Sequence, residues 1–96
     1  MLLGRYKQQP GERLKRLLDY DTWLEEAELI SLVVAEITPA TDIPLTVPSI
    51  VIDPAGRKFA YFTAGGEDGE TYEIKFTITT QTQVKQDEIE IEVEEI

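Results

Sequence analysis

The chain has 96 residues, a formal net charge of −10, and neither cysteine nor histidine. Its length fits one small domain, and the missing residue types exclude a disulfide framework, thiolate zinc sites and Ser-His or Cys-His catalysis. The acidic balance would repel phosphate backbones, so nucleic acid is not expected as the main partner.

The charge is distributed unevenly along the chain. Residues 1–16 contain five basic side chains and one acid, a sum of +4, whereas residues 17–96 sum to −14. Residues 8–11 (QQPG) are chain breakers, and no strand-like alternation precedes Leu14. The sequence therefore predicts an extended basic N-terminal arm over residues 1–16 and a folded domain over residues 17–96. A short helical turn near Leu14 is an option, because leucines recur there at helical spacing.

The apolar residues of this arm, Leu2, Leu3 and Tyr6, have no core of their own to join. With Arg5 and Lys7 they form the predicted partner-binding segment. Apolar burial and complementary charge would dock this segment on an acidic surface, including that of a second copy. A solvated tail is an equally open alternative.

No apolar run approaches the roughly 18 residues that a membrane-spanning helix needs. The opening residues 1–4 (MLLG) are too short for a signal peptide, and basic residues follow them at once. We therefore expect no membrane contact and no export by the usual route.

Strand patterns begin beyond the arm. Residues 18–24 predict a first edge strand, with Trp23 packed on the core rather than anchoring a partner. Residues 29–37 are almost continuously apolar, which is typical of a strand buried inside a sandwich. Residues 43–52 are β-branched but contain two prolines, which favours an edge or bulged strand.

Residues 53–56 (DPAG) form a turn signature, and a further strand is predicted over residues 57–64. Its inward face stays open between two sets of side chains. Either Phe59, Tyr61 and Thr63 point into the core, or Ala60, Phe62 and Ala64 do.

Gly65, Gly66 and Gly69 enclose two acidic residues and mark a tight corner between strands, because glycine reaches positive φ at no steric cost. Tyr72 follows the corner and begins a strand over residues 71–80. A tyrosine at this place is typical of the tyrosine corner in immunoglobulin-like domains, where its hydroxyl bonds to nearby backbone. These four residues are therefore interpreted as structural markers. A calcium site on the acids of the corner is a minor alternative, since their spacing matches no EF-hand loop.

The cleanest alternation lies in the last predicted strand, residues 87–96. Ile89, Ile91 and Val93 point one way and glutamates the other. The glutamate row is expected to face solvent and discourage edge pairing, with an acidic docking face or a cation ladder as the alternative. About six to seven antiparallel strands at roughly ten-residue spacing predict an all-β, immunoglobulin-like β-sandwich.

Three sequence features resemble the small immunoglobulin-like virion proteins of tailed bacteriophages and prophages, in the fibre–tail adaptor or head-fibre-like family. They are LDY with WL at residues 18–24, the acidic turn and apolar strand at residues 28–34, and FTAGG at residues 62–66 with Gly69, Tyr72 and a later Thr-Thr pair. The resemblance covers residues 17–96. Residues 81–86 depart from it, because a glycine is expected there, and this suggests a longer, projecting loop.

The resemblance implies a non-enzymatic structural protein that joins tail or portal components to fibres. Its expected partners are other virion proteins, with a homo-oligomer as a further option, and it implies no cofactor and no metal. The implied location is the virion, assembled in the cytoplasm of the bacterial host.

Two other functions remain open from the residues themselves. A carbohydrate-binding or adhesion module would need an exposed aromatic on a sheet face, and Tyr61 and Phe62 are the candidates. An acidic protein that mimics nucleic acid would bind a basic partner in a strongly salt-dependent way. No catalytic residues are predicted for any of these functions.

Overall fold

The computed structural model describes residues 1–96, which form eight β-strands and no helix. The chain thus has no helix that could span a membrane. The strands are β1 (Leu2–Gln8), β2 (Arg13–Asp19), β3 (Ile30–Thr38), β4 (Leu45–Thr46), β5 (Ile50–Ile52), β6 (Lys58–Gly65), β7 (Thr71–Thr80) and β8 (Val84–Val93).

The strands form two sheets that pack face to face. Sheet A has the order β1-β8-β7-β3, and sheet B has the order β2-β6-β4, with β5 also paired to β6. Every pair is antiparallel except β1 with β8, which is parallel. The all-β prediction is confirmed, but sheet A is mixed rather than purely antiparallel. The reason is that β1 and β2 lie in different sheets, so β1 pairs with the last strand instead of with its neighbour in sequence.

Residues 1–16 are part of the sandwich, so the prediction of a separate N-terminal arm is wrong. β1 pairs with β8 from Leu2 opposite Glu88 to Gln8 opposite Val93. β2 pairs with β6 along its whole length, and the expected boundary after residue 16 falls inside it. No helical turn forms near Leu14. The alternation of β1 is weak in sequence because it lies at a sheet edge, where most of its side chains are exposed.

The core lies between the inward faces of β6, β7 and β8. The open question about β6 is settled, since Phe59, Tyr61 and Thr63 are fully buried. The ring of Phe76 lies 5.4 Å from that of Phe59 and 4.8 Å from that of Tyr61, between ring centroids. Burying each such side chain contributes roughly 1.5–3 kcal/mol. The inward faces predicted for β7 and β8 are also buried: Tyr72, Ile74, Phe76 and Ile78, and Ile89, Ile91 and Val93.

β3 lies at the other edge of sheet A, although its apolar run predicts a buried strand. Val33, Ala35 and Ile37 pack against the core, whereas Leu32 and Val34 face outward and are exposed. The prediction for residues 43–52 is confirmed, because β4 and β5 are two short strands at the edge of sheet B.

The segment between β2 and β3 is a folded loop, not the strand predicted over residues 18–24. The guanidinium of Arg57 holds it by donating hydrogen bonds to the backbone carbonyls of Asp21 at 3.0 Å, Leu24 at 3.2 Å, Glu25 at 3.2 Å and Glu28 at 3.0 Å. Arg57 also forms an ion pair with the carboxylate of Asp21. One side chain thus fixes almost the whole loop.

Glu28 ties this loop to the turn between β7 and β8. Its carboxylate accepts hydrogen bonds from the hydroxyls of Thr80 at 2.6 Å and Thr82 at 2.7 Å, and from the amide of Gln83 at 2.9 Å. The Thr80 and Thr82 hydrogen bonds lower the pKa of Glu28 to about 2. β8 therefore begins at Val84, directly after a compact turn, and the longer projecting loop expected over residues 81–86 is wrong.

Candidate interaction surfaces

The glycine corner is a packed structural element. Gly65, Gly66 and Gly69 have φ values of +78°, +98° and +87°, in the left-handed region. The hydroxyl of Tyr72 accepts a hydrogen bond from the backbone N–H of Glu67 at 2.9 Å and shares another with Thr41 Oγ1 at 2.7 Å. The acidic side chains of the corner do not converge, and no group of three acids is placed to hold a metal ion.

The predicted partner-binding residues all lie on β1. Leu2, Leu3 and Tyr6 are 43%, 38% and 37% exposed. Arg5 and Lys7 point to the outer face of sheet A, where Arg5 pairs with Glu90 at 2.8 Å and Lys7 with Glu94 at 4.0 Å, between nitrogen and carboxylate oxygen. The basic side chains of β1 thus lie beside acids near the end of their own chain.

Tyr6 links the two sheets at the open margin between β1 and β2. The guanidinium carbon of Arg16 lies 4.5 Å from the centroid of its ring. Arg16 also donates to the hydroxyl of Thr63 at 3.0 Å, and that hydroxyl donates to the side-chain oxygen of Gln8 at 2.5 Å. The sequence does not indicate that Arg16 faces inward, because an arginine at an inward position interrupts the apolar–polar alternation of a strand.

A second exposed surface lies on the outer side of sheet B. Leu17 of β2 and Val51 of β5 flank Ala60 of β6 there. Phe62 lies beside them, half-buried, with the guanidinium carbon of Arg13 at 4.7 Å from its ring centroid. Since Tyr61 is buried, Phe62 is the outward-facing aromatic of β6, and it is covered by an arginine.

Trp23 and the buried hydroxyls belong to the core. The ring of Trp23 meets that of Tyr20 edge-on, with 5.9 Å between centroids, as predicted for a core residue. The hydroxyl of Tyr20 donates to the buried carboxylate of Asp87 at 2.8 Å. The second oxygen of Asp87 lies 3.7 Å from the Lys85 ammonium and 3.7 Å from the amino group of Met1. Burial raises the pKa of Tyr20, and also that of Tyr61, whose hydroxyl has no partner.

Comparison with protein families identifies the chain. Residues 8–92 match the family described as "Podophage GP4 fiber-tail adaptor protein gp77". No curated protein and no solved structure matches the chain significantly. The matched region begins at the last residue of β1 and ends one residue before the end of β8, so it includes seven of the eight strands almost completely. The chain therefore belongs to this family of phage fibre–tail adaptors, which indicates a structural role in the virion.

Proposed function

We propose that the chain is a non-enzymatic adaptor that joins a tail or portal component to a fibre through β1 and the adjoining sandwich surface. The observation that carries this proposal is the position of β1. One of its edges pairs with β8, and its other edge has no strand beside it. An open edge can accept an extended segment of a partner through main-chain hydrogen bonds.

The side chains of β1 suit such an addition. Leu2 and Leu3 are large apolar residues that stay partly exposed in the free chain and would be covered by a partner. Beside them a shallow cleft of about 420 Å³ is lined by Arg5, Tyr6, Lys7, Thr71, Glu90 and Glu92. The main-chain edge would supply affinity, while the leucines and the charged cleft would select the partner.

We infer that the scaffold behind this edge is an immunoglobulin-like sandwich. In such domains strands B, E and D form one sheet and strands C, F and G the other. The groups β2, β6, β4 and β3, β7, β8 have the same connectivity. Tyr72 lies near the start of the strand equivalent to F and accepts a hydrogen bond from backbone five residues upstream, as a corner tyrosine does. Distances between spin labels on neighbouring strands that contradict this strand order would overturn the assignment.

The test uses the fibre and tail proteins of the same phage, each purified and immobilised in turn. The double variant Leu2→Asp/Leu3→Asp places charge on the proposed contact and leaves the core intact. We expect its affinity for one of the two proteins to fall by at least about tenfold, because each buried leucine contributes roughly 1.5–3 kcal/mol and 1.4 kcal/mol is a factor of ten. Point variants are preferable to removal of residues 1–12, which would uncover the β8 edge.

The matched control is Ile43→Asp, which places the same charge on an exposed apolar residue in the loop before β4. It should bind like the wild type. Circular dichroism in the near ultraviolet would establish that all variants fold. Unchanged binding of the Leu2/Leu3 variant to both partners would refute the role of β1.

A further inference from the structure

The two outer faces of the sandwich differ in charge and share one pattern. On sheet B, Leu17 is followed on the same face by Lys15 and then Arg13, at two and four residues along β2. On sheet A, Leu32 is followed on the same face by Val34 and then Glu36, at two and four residues along β3. Each face therefore has an apolar end beside a charged end, and the two charged ends have opposite signs; on sheet B the cross-strand pair of Asp19 and Lys58 lies beyond Leu17.

The apolar ends are exposed on both sheets. On sheet B, Leu17 and Val51 are 60% and 54% exposed, beside the half-buried Phe62. On sheet A, Leu32, Val34 and Val84 are 54%, 45% and 66% exposed, and all three lie at one end of the sheet. Large apolar side chains grouped on a sheet face are a common sign of a protein contact surface.

The charged ends form no ion pairs within the chain. Arg13 and Lys15 have no acidic partner, and the guanidinium of Arg13 lies over the ring of Phe62. Glu36 and Glu73 on sheet A form none either. Their face also carries three glutamates of β8 and the cation Lys75, which lies opposite Glu36 without an ion pair. Arg13 and Lys15 thus form a basic patch on a chain whose net charge is −10. Its complement is present on the opposite side of the same molecule.

We propose that the outer face of sheet B binds the outer face of sheet A of a second copy. Successive residues on one face of a strand are about 6.6 Å apart. Leu17 of one copy can therefore lie on the leucine–valine end of β3 in the next, while Lys15 and Arg13 reach Glu36 and Glu73. Burial of the apolar ends supplies the affinity, and the four charges set the direction of stacking.

Such a contact joins two different faces, so it is heterologous. A pair of copies then keeps one unused face of each kind, so the contact repeats from copy to copy as a ring or an open stack. On sheet A the residues of this contact lie on β3 and β7, and β8 separates them from β1, so the β1 edge stays open for a fibre or tail component. The proposal therefore stands independently of the role proposed for β1.

Two blocking variants test the proposal with the full chain. Leu17→Asp blocks the sheet B face, and Val34→Asp blocks the sheet A face. By light scattering after size exclusion, the wild type should form oligomers whose mass rises with concentration, and each variant alone should be a monomer. An equimolar mixture of the two should give a 1:1 dimer, because it contains one intact face of each kind and no chain can extend further. Ile43→Asp is the control and should oligomerise like the wild type.

Charge variants provide a second measurement that leaves the apolar ends intact. Lys15→Glu should weaken self-association by about tenfold, and mixing it with Glu36→Lys should restore association, since the altered charges again have opposite signs. Added salt should weaken the wild-type contact. A wild type that stays monomeric at high concentration would overturn the proposal. So would oligomers of Leu17→Asp, or a mixture of the blocked variants that stays monomeric.

Discussion

Replacing Gly65 with alanine should destabilise the fold more than replacing Gly69, although both glycines have a left-handed backbone. A Cβ on Gly65 would lie 2.9 Å from the carbonyl oxygen of Pro44, which is backbone and cannot rotate away. A Cβ on Gly69 would meet nothing within 4 Å. Gly11 also has open space around it and has no positive φ. The three positions therefore separate the conformational effect from the steric one.

The expected magnitudes follow from these differences. Gly11→Ala should be neutral or stabilise by about 0.4–1 kcal/mol, because alanine restricts the unfolded chain. At Gly69 the left-handed conformation costs an alanine about 1–2 kcal/mol, partly offset by the same entropic gain. At Gly65 the contact with Pro44 adds a further 1–3 kcal/mol or so of overpacking. The free energy of unfolding should thus be highest for Gly11→Ala, lower for Gly69→Ala and lowest for Gly65→Ala.

Urea unfolding followed by tryptophan fluorescence measures this order, since the single Trp23 packs on the core. Each variant should be measured at two protein concentrations, so that a contribution of self-association is detected. Equal stabilities of Gly65→Ala and Gly69→Ala would show that the close approach to Pro44 is unimportant. A Gly69→Ala variant as stable as Gly11→Ala would refute the conformational part of the reasoning.

Two further predictions concern hydrogen bonds. Tyr72→Phe should lower the free energy of unfolding by about 1–2 kcal/mol, because the N–H of Glu67 loses its acceptor. The control is Tyr6→Phe, which should change that free energy little because the Tyr6 hydroxyl bonds nothing in the chain. Equal losses in the two variants would contradict the prediction. Glu28 has a pKa near 2 in the folded chain against an ordinary 4.5, so its contribution to stability is complete above pH 4.5 and is lost as the pH falls toward 2. Urea unfolding across that range should show a flatter decline for Glu28→Gln than for the wild type, and parallel curves would disprove the role of Glu28.

Alternation in the sequence was sufficient to name the inward residues of a strand that has one buried and one exposed face. β7 and β8 have that environment, so their inward residues could be named from a period of two. It failed at the sheet edges. The apolar residues Leu32 and Val34 predict a buried strand for β3, yet their side chains face outward and are exposed. A run of apolar residues cannot show which side chains pack against a second sheet and which do not.

The N-terminal strand could not be predicted for a different reason. Its pairing with β8 joins residues at opposite ends of the sequence, and residues 9–12 show only that the chain turns, not that it crosses between sheets. The candidate surfaces could not be predicted for the same reason. Leu17, Val51 and Phe62 become neighbours only through the pairing of β2 and β5 with β6. The composition of β1 predicts that its residues bind a partner, whereas their position at an open sheet edge required the structure.

The buried carboxylate of Asp87 bears on how the last strand finds its place. The segment that follows it, Glu-Ile-Glu-Ile-Glu-Val, repeats every two residues, so sliding it by two along β7 would keep every isoleucine inside and every glutamate outside. Alternation alone thus leaves the alignment degenerate. Asp87 pairs with Phe76, and a slide of two would put its charge opposite Ile74 or Ile78, away from the hydroxyl of Tyr20. A single inward acid therefore removes the translational freedom that a perfectly regular strand would have.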